Sequence, residues 1–168
     1  MVVSDQPEAR ALDRARNASI ETSVVAWSDF ESRDAFSRAV ADVIEHHGAK
    51  AVVLAGFMRI LSSEFVDRFP NRILNIHPSL LPAFPGAHAV ESALEEGVLT
   101  TGVTVHFVDE KVDHGPIIAQ RSVPVEADDT VETLHARIQI EEHDLYPQVV
   151  TALVSGGLLM SGGEVVWV

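Results

Sequence analysis

An α/β domain with a mostly parallel sheet flanked by helices is the fold class this sequence predicts. Three observations carry it. Short apolar runs alternate along the chain with segments of helical periodicity. Two of the runs, residues 51–57 (AVVLAGF) and 72–76, lack in–out alternation, as expected of strands covered on both faces. The 168 residues, 46% hydrophobic and 22% charged, suit one domain with a sizeable core.

Residues 1–5 read as the end of a strand running into a helix cap. Pro7 suits the first turn of a helix that Ala9, Leu12, Ala15 and Arg16 carry on. Residues 23–27 form the next apolar run. A helix over residues 32–47 follows from the stripe Phe36, Val40, Val43 and Ile44, with Gly48 closing it. The strand over 51–57 has Gly56 near its end, where a backbone can approach a ligand. Ser62 or Ser63 can cap a short helix that Pro70 stops. The strand over 72–76 is followed by a helix over 87–96, ended by Gly97. Strands over 102–108 and 116–125 flank a loop over 109–115. A long helix over 130–154 is interrupted by Pro147, where a kink is expected, and ends at Gly156-Gly157. The tail, LLMSGGEVVWV, reads as a hairpin around Gly162-Gly163.

Composition excludes several function classes. Twelve basic residues against 25 acidic ones give a formal charge of −13, which opposes non-specific binding to nucleic acid or an anionic membrane. With no cysteine there is no disulfide framework, thiolate metal site or thiol nucleophile. No apolar run has the length of a membrane span, and the start lacks a secretory signal pattern, so a cytoplasmic location is the expectation.

The chemistry concentrates in residues 73–86, ILNIHPSLLPAFPG. An apolar run stops on Asn75, His77 follows two residues later, and Pro78, Pro82 and Pro85 stiffen what comes next. Residues two apart on a strand share a face, so an amide donor and a proton-carrying ring arrive together at a strand end. Ligands of such sheets bind beyond the carboxyl ends of strands. An amide can stabilise an oxyanion and a ring can move protons, which points to acyl-type chemistry. Asp113, in Val112-Asp113-His114-Gly115-Pro116, is a candidate to orient His77. Set against these readings are a turn histidine, a backbone-bonded Asn75 and a turn aspartate before Gly-Pro. His77, His106, Asp113 and His114 could in principle surround a metal, but no HExxH pattern occurs. A hydrolase built on Ser79 lacks a GxSxG elbow, and neither a Walker A nor a GxGxxG loop is present.

Four segments in order, LAGFMRIL (54–61), NIHPSLLP (75–82), TVHFVDEKVDHGP (104–116) and EEHDLYP (141–147), make the chain resemble the folate-dependent formyltransferases over nearly its whole length. The resemblance implies a formyltransferase-like, Rossmann-type fold. It also implies transfer of a formyl group from 10-formyltetrahydrofolate, as co-substrate, to the amine of glycinamide ribonucleotide in purine biosynthesis, with no metal. Asn75, His77 and Asp113 match the family's catalytic trio. Arg33, Met58, Arg59, Ile60 and Leu61 match positions at the folate site, together with Asn75 and the loop Asp109, Glu110, Lys111, Val112 and Asp113. Gln139, Ile140, Glu141 and Glu142 match the segment facing glycinamide ribonucleotide.

The family begins with a strand, a glycine-rich phosphate loop and a helix. This sequence starts after all three, so a single domain over 1–168, incomplete at its N-terminus, is the expectation. His114 stands where relatives often carry a small or acidic residue. Two alternatives remain open: a formyltetrahydrofolate deformylase, with water as acceptor, and a folate-binding module without catalysis. The expected partners are small molecules rather than nucleic acid or membrane, with a homodimer left open.

Overall fold

Side-chain caps and left-handed glycines set several element ends in the computed structural model, which describes residues Met1–Val168. The chain divides into two units: Met1–Lys50 with Arg59–Arg68, and Ala51–Met58 with Phe69–Val168.

In the first unit, β1 (Val2–Ser4) and β2 (Thr22–Val24) pair in parallel, Val2 opposite Thr22. The intervening α1 (Arg10–Asn17) starts three residues beyond Pro7, with Ala9 at its N-cap and no side-chain cap. Pro7 therefore does not open the helix. The Ser4 hydroxyl accepts from the Gln6 amide at 3.1 Å, and the Ala9 amide donates to the Gln6 carbonyl, so this segment is spent on turns. The helix expected at 32–47 is α2 (Arg33–His46). Ser32 caps it by accepting from the Ala35 amide at 3.2 Å, and Gly48 closes it at φ 64°. Phe36, Val40, Ala41 and Ile44 form its buried stripe. Ser62 caps α3 (Ser63–Arg68) through the Phe65 amide. The Arg68 guanidinium then spans Asp42 and Glu45 of α2, at 2.7 and 2.6 Å.

The second unit holds a four-stranded sheet in the order β3 (Val52–Val53), β4 (Ile73–His77), β5 (Thr100–Phe107) and β6 (Ile117–Pro124). The α/β class is as the sequence implies, and within it the sheet is mixed. β3 and β4 are parallel, whereas β4–β5 and β5–β6 are antiparallel. Residues 108–116 between β5 and β6 are too few for the crossover of about a dozen residues that parallel neighbours need. The run 51–57 yields only the two-residue β3, an edge strand in this sheet with Val53 exposed.

α4 (Ala89–Glu95) and α5 (Val131–Ser155) complete this unit with a hairpin, β7 (Leu158–Ser161) and β8 (Glu164–Trp167). Leu134, Ile138, Leu145 and Val149 form one buried face of α5, in a core with Leu74, Val103, Val105 and Phe107 of the sheet. Thr130 and Thr133 form a capping box at the start of α5, and Gly156 ends it at φ 78°. Pro147 lies inside this helix without interrupting it. Its ring removes one backbone donor, but Leu145 and Val149 on either side are buried. The adjacent Tyr146 hydroxyl lies 2.7 Å from the Leu54 carbonyl and 3.0 Å from that of Leu74, on neighbouring chain segments. Gly162 and Gly163, at φ 61° and 88°, supply the two positive φ values of a two-residue hairpin turn. No helix is long and apolar enough to cross a membrane.

Gly102 of β5 faces the backbone of β6. A methyl group there would collide with the Arg121 carbonyl and stand 2.7 Å from Leu80 Cδ2. Because a ladder carbonyl cannot swing away cheaply, Gly102→Ala is expected to destabilise the protein by about 1–3 kcal/mol. Thermal or urea unfolding of the variant checks this.

Candidate active site

Period-two geometry brings the site together. Asn75 and His77 lie on one face of β4, and their antiparallel partners on β5 are His106 and Thr104. The ladder between β5 and β6 changes register at Val105/His106, an irregularity of the kind that re-aims side chains beside functional sites.

The His77 ring is buried between two acceptors. Its Nε2 stands 2.8 Å from the Phe84 carbonyl oxygen, and a carbonyl only accepts, so Nε2 carries hydrogen. Its Nδ1 faces Asp113 Oδ2 at 3.4 Å. The same carboxylate oxygen accepts from the Gly86 amide at 2.8 Å, while Oδ1 lies 3.7 Å from His106 Nε2. The Asp113 carboxyl lies below its ordinary range. The His106 ring, at 3.7 Å, is too far to donate a hydrogen bond to it, so the Gly86 amide and the His77 ring are the groups that favour the charged form against burial. Asp113 sits at φ 51°, a left-handed conformation that aspartate tolerates better than most residues.

The turn that presents the Phe84 carbonyl is pinned from β5 and β6. Thr104 Oγ1 donates to the Ser79 carbonyl at 2.7 Å and accepts from the Leu81 amide at 3.0 Å. Gln120 donates to Thr104 Oγ1 and to the Leu81 carbonyl, both at 2.9 Å. The Ser79 hydroxyl is spent on the Ala83 carbonyl at 2.5 Å, so it is engaged as a turn donor.

The other residues singled out in the sequence have separate places. In the loop 109–113, Asp109 pairs with the His114 ring at 2.8 Å and accepts from the Lys111 amide at 2.9 Å, while Glu110, Lys111 and Val112 are exposed. Partial burial works against the charged form of Asp109. The His114 ring and the Lys111 amide outweigh it and keep the carboxyl below its usual range. Of the four residues weighed as metal ligands, His77, His106 and Asp113 are neighbours, whereas the His114 ring is taken by Asp109. No group of three or more such side chains has an arrangement that could hold a metal ion.

On α5, Gln139 and Ile140 are exposed and Glu141 pairs with Arg121 at 3.1 Å. Glu142 is half-buried, and burial raises its carboxyl above the ordinary value against the pull of His135, His143 and His77. Met58, in the second unit, is exposed. Arg33 and residues 59–61 belong to the first unit. There Arg59 donates to Asp5 at 2.9 Å and lies over the Trp27 ring at 4.9 Å, Arg33 lies 3.6 Å from Asp34, and Ile60 is exposed.

Three contributors escaped the sequence reading. The sequence offers His106 only as a metal ligand; its period-two relation to Thr104 puts both on one face of β5, but the register that sets it opposite Asn75 belongs to the fold. The Phe84 carbonyl and Gly86 amide are backbone groups, and only the clustered prolines signalled a turn able to present them.

The site thus places a buried imidazole between a carbonyl and a carboxylate, with a side-chain amide on the same strand face, in an α/β protein; such a ring and amide are groups able to carry a proton and to donate to an oxyanion. Comparison with known proteins narrows this class. The sequence model of the formyl transferase family matches residues 1–150. The phosphoribosylglycinamide formyltransferase of Escherichia coli is 46% identical over 159 residues, covering 95% of this chain and 75% of that protein. The bovine trifunctional purine biosynthetic protein adenosine-3 is 45% identical over 169 residues, but the chain spans only 17% of its length. A crystal structure of glycinamide ribonucleotide transformylase 1 from Symbiobacterium toebii superposes with a TM-score of 0.96 at 46% identity, covering 99% of this chain and 79% of that one. The chain belongs to the formyl transferase family.

Proposed function

We propose that this protein transfers the formyl group of 10-formyltetrahydrofolate to the amine of glycinamide ribonucleotide, a step of purine biosynthesis. The observation that carries the reading is the buried His77–Asp113 pair at the end of β4, the strand that also bears Asn75, in a chain of this family. The amine attacks the formyl carbon, forming a C–N bond and a tetrahedral oxyanion. The Asn75 amide donates to that oxygen, and the His77 ring joins it once its Nε2–H exchanges the Phe84 carbonyl for the substrate oxygen; one such donor is worth about 2.7–4 kcal/mol in comparable sites. Collapse breaks the bond from carbon to folate N10. The proton lost by the amine ends on that nitrogen, with His77 as relay and Asp113 holding the ring. Residues 109–113 cover the folate, and Gln139–Glu142 face the ribonucleotide. No step requires a metal.

Incubation of the protein with both substrates is the test. Formylglycinamide ribonucleotide and tetrahydrofolate should appear in equal amounts. Formate release without an amine acceptor would instead indicate a deformylase. Failure to form either product while folate still binds would overturn the catalytic reading.

A further inference from the structure

His106 is almost completely buried, at 2% side-chain exposure, and the chemistry proposed above gives it no part. Its surroundings nevertheless define its hydrogens. Nδ1 lies 2.8 Å from the Phe107 carbonyl oxygen, which can only accept, so Nδ1 carries hydrogen. In that tautomer Nε2 is a bare acceptor. The Asn75 side-chain nitrogen stands 3.3 Å from it and donates. Asp113 Oδ1, at 3.7 Å, is beyond hydrogen-bond distance.

An asparagine amide can turn end for end at little cost, exchanging a donor for an acceptor. Only one orientation is useful beside an oxygen that gains negative charge. The bare Nε2 selects it, because the Asn75 oxygen facing that nitrogen would set lone pair against lone pair. One hydrogen of the Asn75 nitrogen is held by His106 and the second stays available.

We infer that His106, in its Nδ1–H tautomer, is a positioning residue that orients the Asn75 amide so that its second hydrogen points to the reacting oxygen. This rests on the formyl-transfer reading and adds to it the device that presets the amide donor. The ring is itself anchored on Phe107 of the same strand, beside the register change in the β5–β6 ladder.

Two substitutions separate positioning from packing. His106→Phe keeps a ring of similar volume and removes the acceptor. His106→Gln gives up the ring but places an amide oxygen at the reach of Nε2. Loss of an amide hydrogen bond of ordinary net strength corresponds to about a tenfold effect. His106→Phe should therefore lower kcat about tenfold or more with the folate KM nearly unchanged. His106→Gln should stay within a few-fold of the parent. A merely structural role predicts the reverse order, and that order, or equal kcat in all three proteins, overturns the inference. Melting curves show whether each variant is folded. Nitrogen NMR of the histidine rings in the unsubstituted protein reads the tautomer without activity. It should show a hydrogen-bearing Nδ1 and a hydrogen-free Nε2 in His106, and a hydrogen on Nε2 overturns the inference. Absence of formyl transfer by the unsubstituted protein would instead count against the proposed function, and the ring spectrum would still decide the tautomer.

Discussion

His77→Ala is expected to lower turnover by about 10²–10⁴-fold, the range contributed by a positioned acid–base group. Folate affinity should change far less, because the ring's contacts in the fold are with Phe84 and Asp113 rather than with the surface. The substitution also has a structural cost. It leaves the Phe84 carbonyl with only the long 3.4 Å contact from the Ser79 hydroxyl and removes one of the groups facing the buried Asp113 carboxylate, and an unsatisfied buried polar group costs about 1–3 kcal/mol. Turnover must therefore be measured well below the melting temperature, with the folded fraction fixed by circular dichroism. A folded His77→Ala protein with parental kcat would remove the ring from the chemistry.

Asp113→Asn isolates charge from shape. Asparagine tolerates the left-handed backbone at φ 51° and keeps an oxygen for the Gly86 amide, so local structure should survive. What is lost is the negative charge beside His77 and His106. Hydrogen bonds to charged groups carry about 1.5–3 kcal/mol, which corresponds to a fall in kcat of about 10–100-fold. The pH dependence follows from the sign of the shift. Because the folded carboxyl lies below its ordinary value, its contribution to stability is complete above the ordinary carboxylate range and is lost as pH falls through the folded value. The acid side of the parental rate profile should carry this titration, and Asp113→Asn should abolish it. An unchanged acid limb would contradict the role of Asp113.

Much of the local structure could be read from residue order because its signals are themselves local. Ser32, Gly48, Thr130, Gly156 and the Gly162-Gly163 pair act through their own hydrogen bonds or φ values, and each marks an element end as expected. The misreadings arose where neighbours decide. Residues 51–57 are apolar enough for a long buried strand, but ladder pairing with β4 extends only over Val52–Val53. Pro7 suited a helix start until the Ser4 hydroxyl claimed the Gln6 amide for a turn. Antiparallel pairing was implicit in the short connection between β5 and β6, but the alternation of element types drew the expectation towards a parallel sheet.

The candidate site divides in the same way. Asn75 and His77 could be paired from their spacing because a strand repeats every two residues. The approach of Asp113 depends on a loop, and the placement of His106 on a cross-strand register that composition does not contain.

Tyr146 has a consequence for this arrangement. Its hydroxyl spans the Leu54 and Leu74 carbonyls, and Leu74 immediately precedes Asn75. Glu142 lies one helical turn earlier on α5, close enough to feel the charge of His77. The phenol therefore works as a gauge block between helix and sheet. Sliding α5 by one residue, about 1.5 Å, would pull the hydroxyl off both carbonyls. One side chain thus fixes the axial position of α5 against the strand that carries Asn75 and His77.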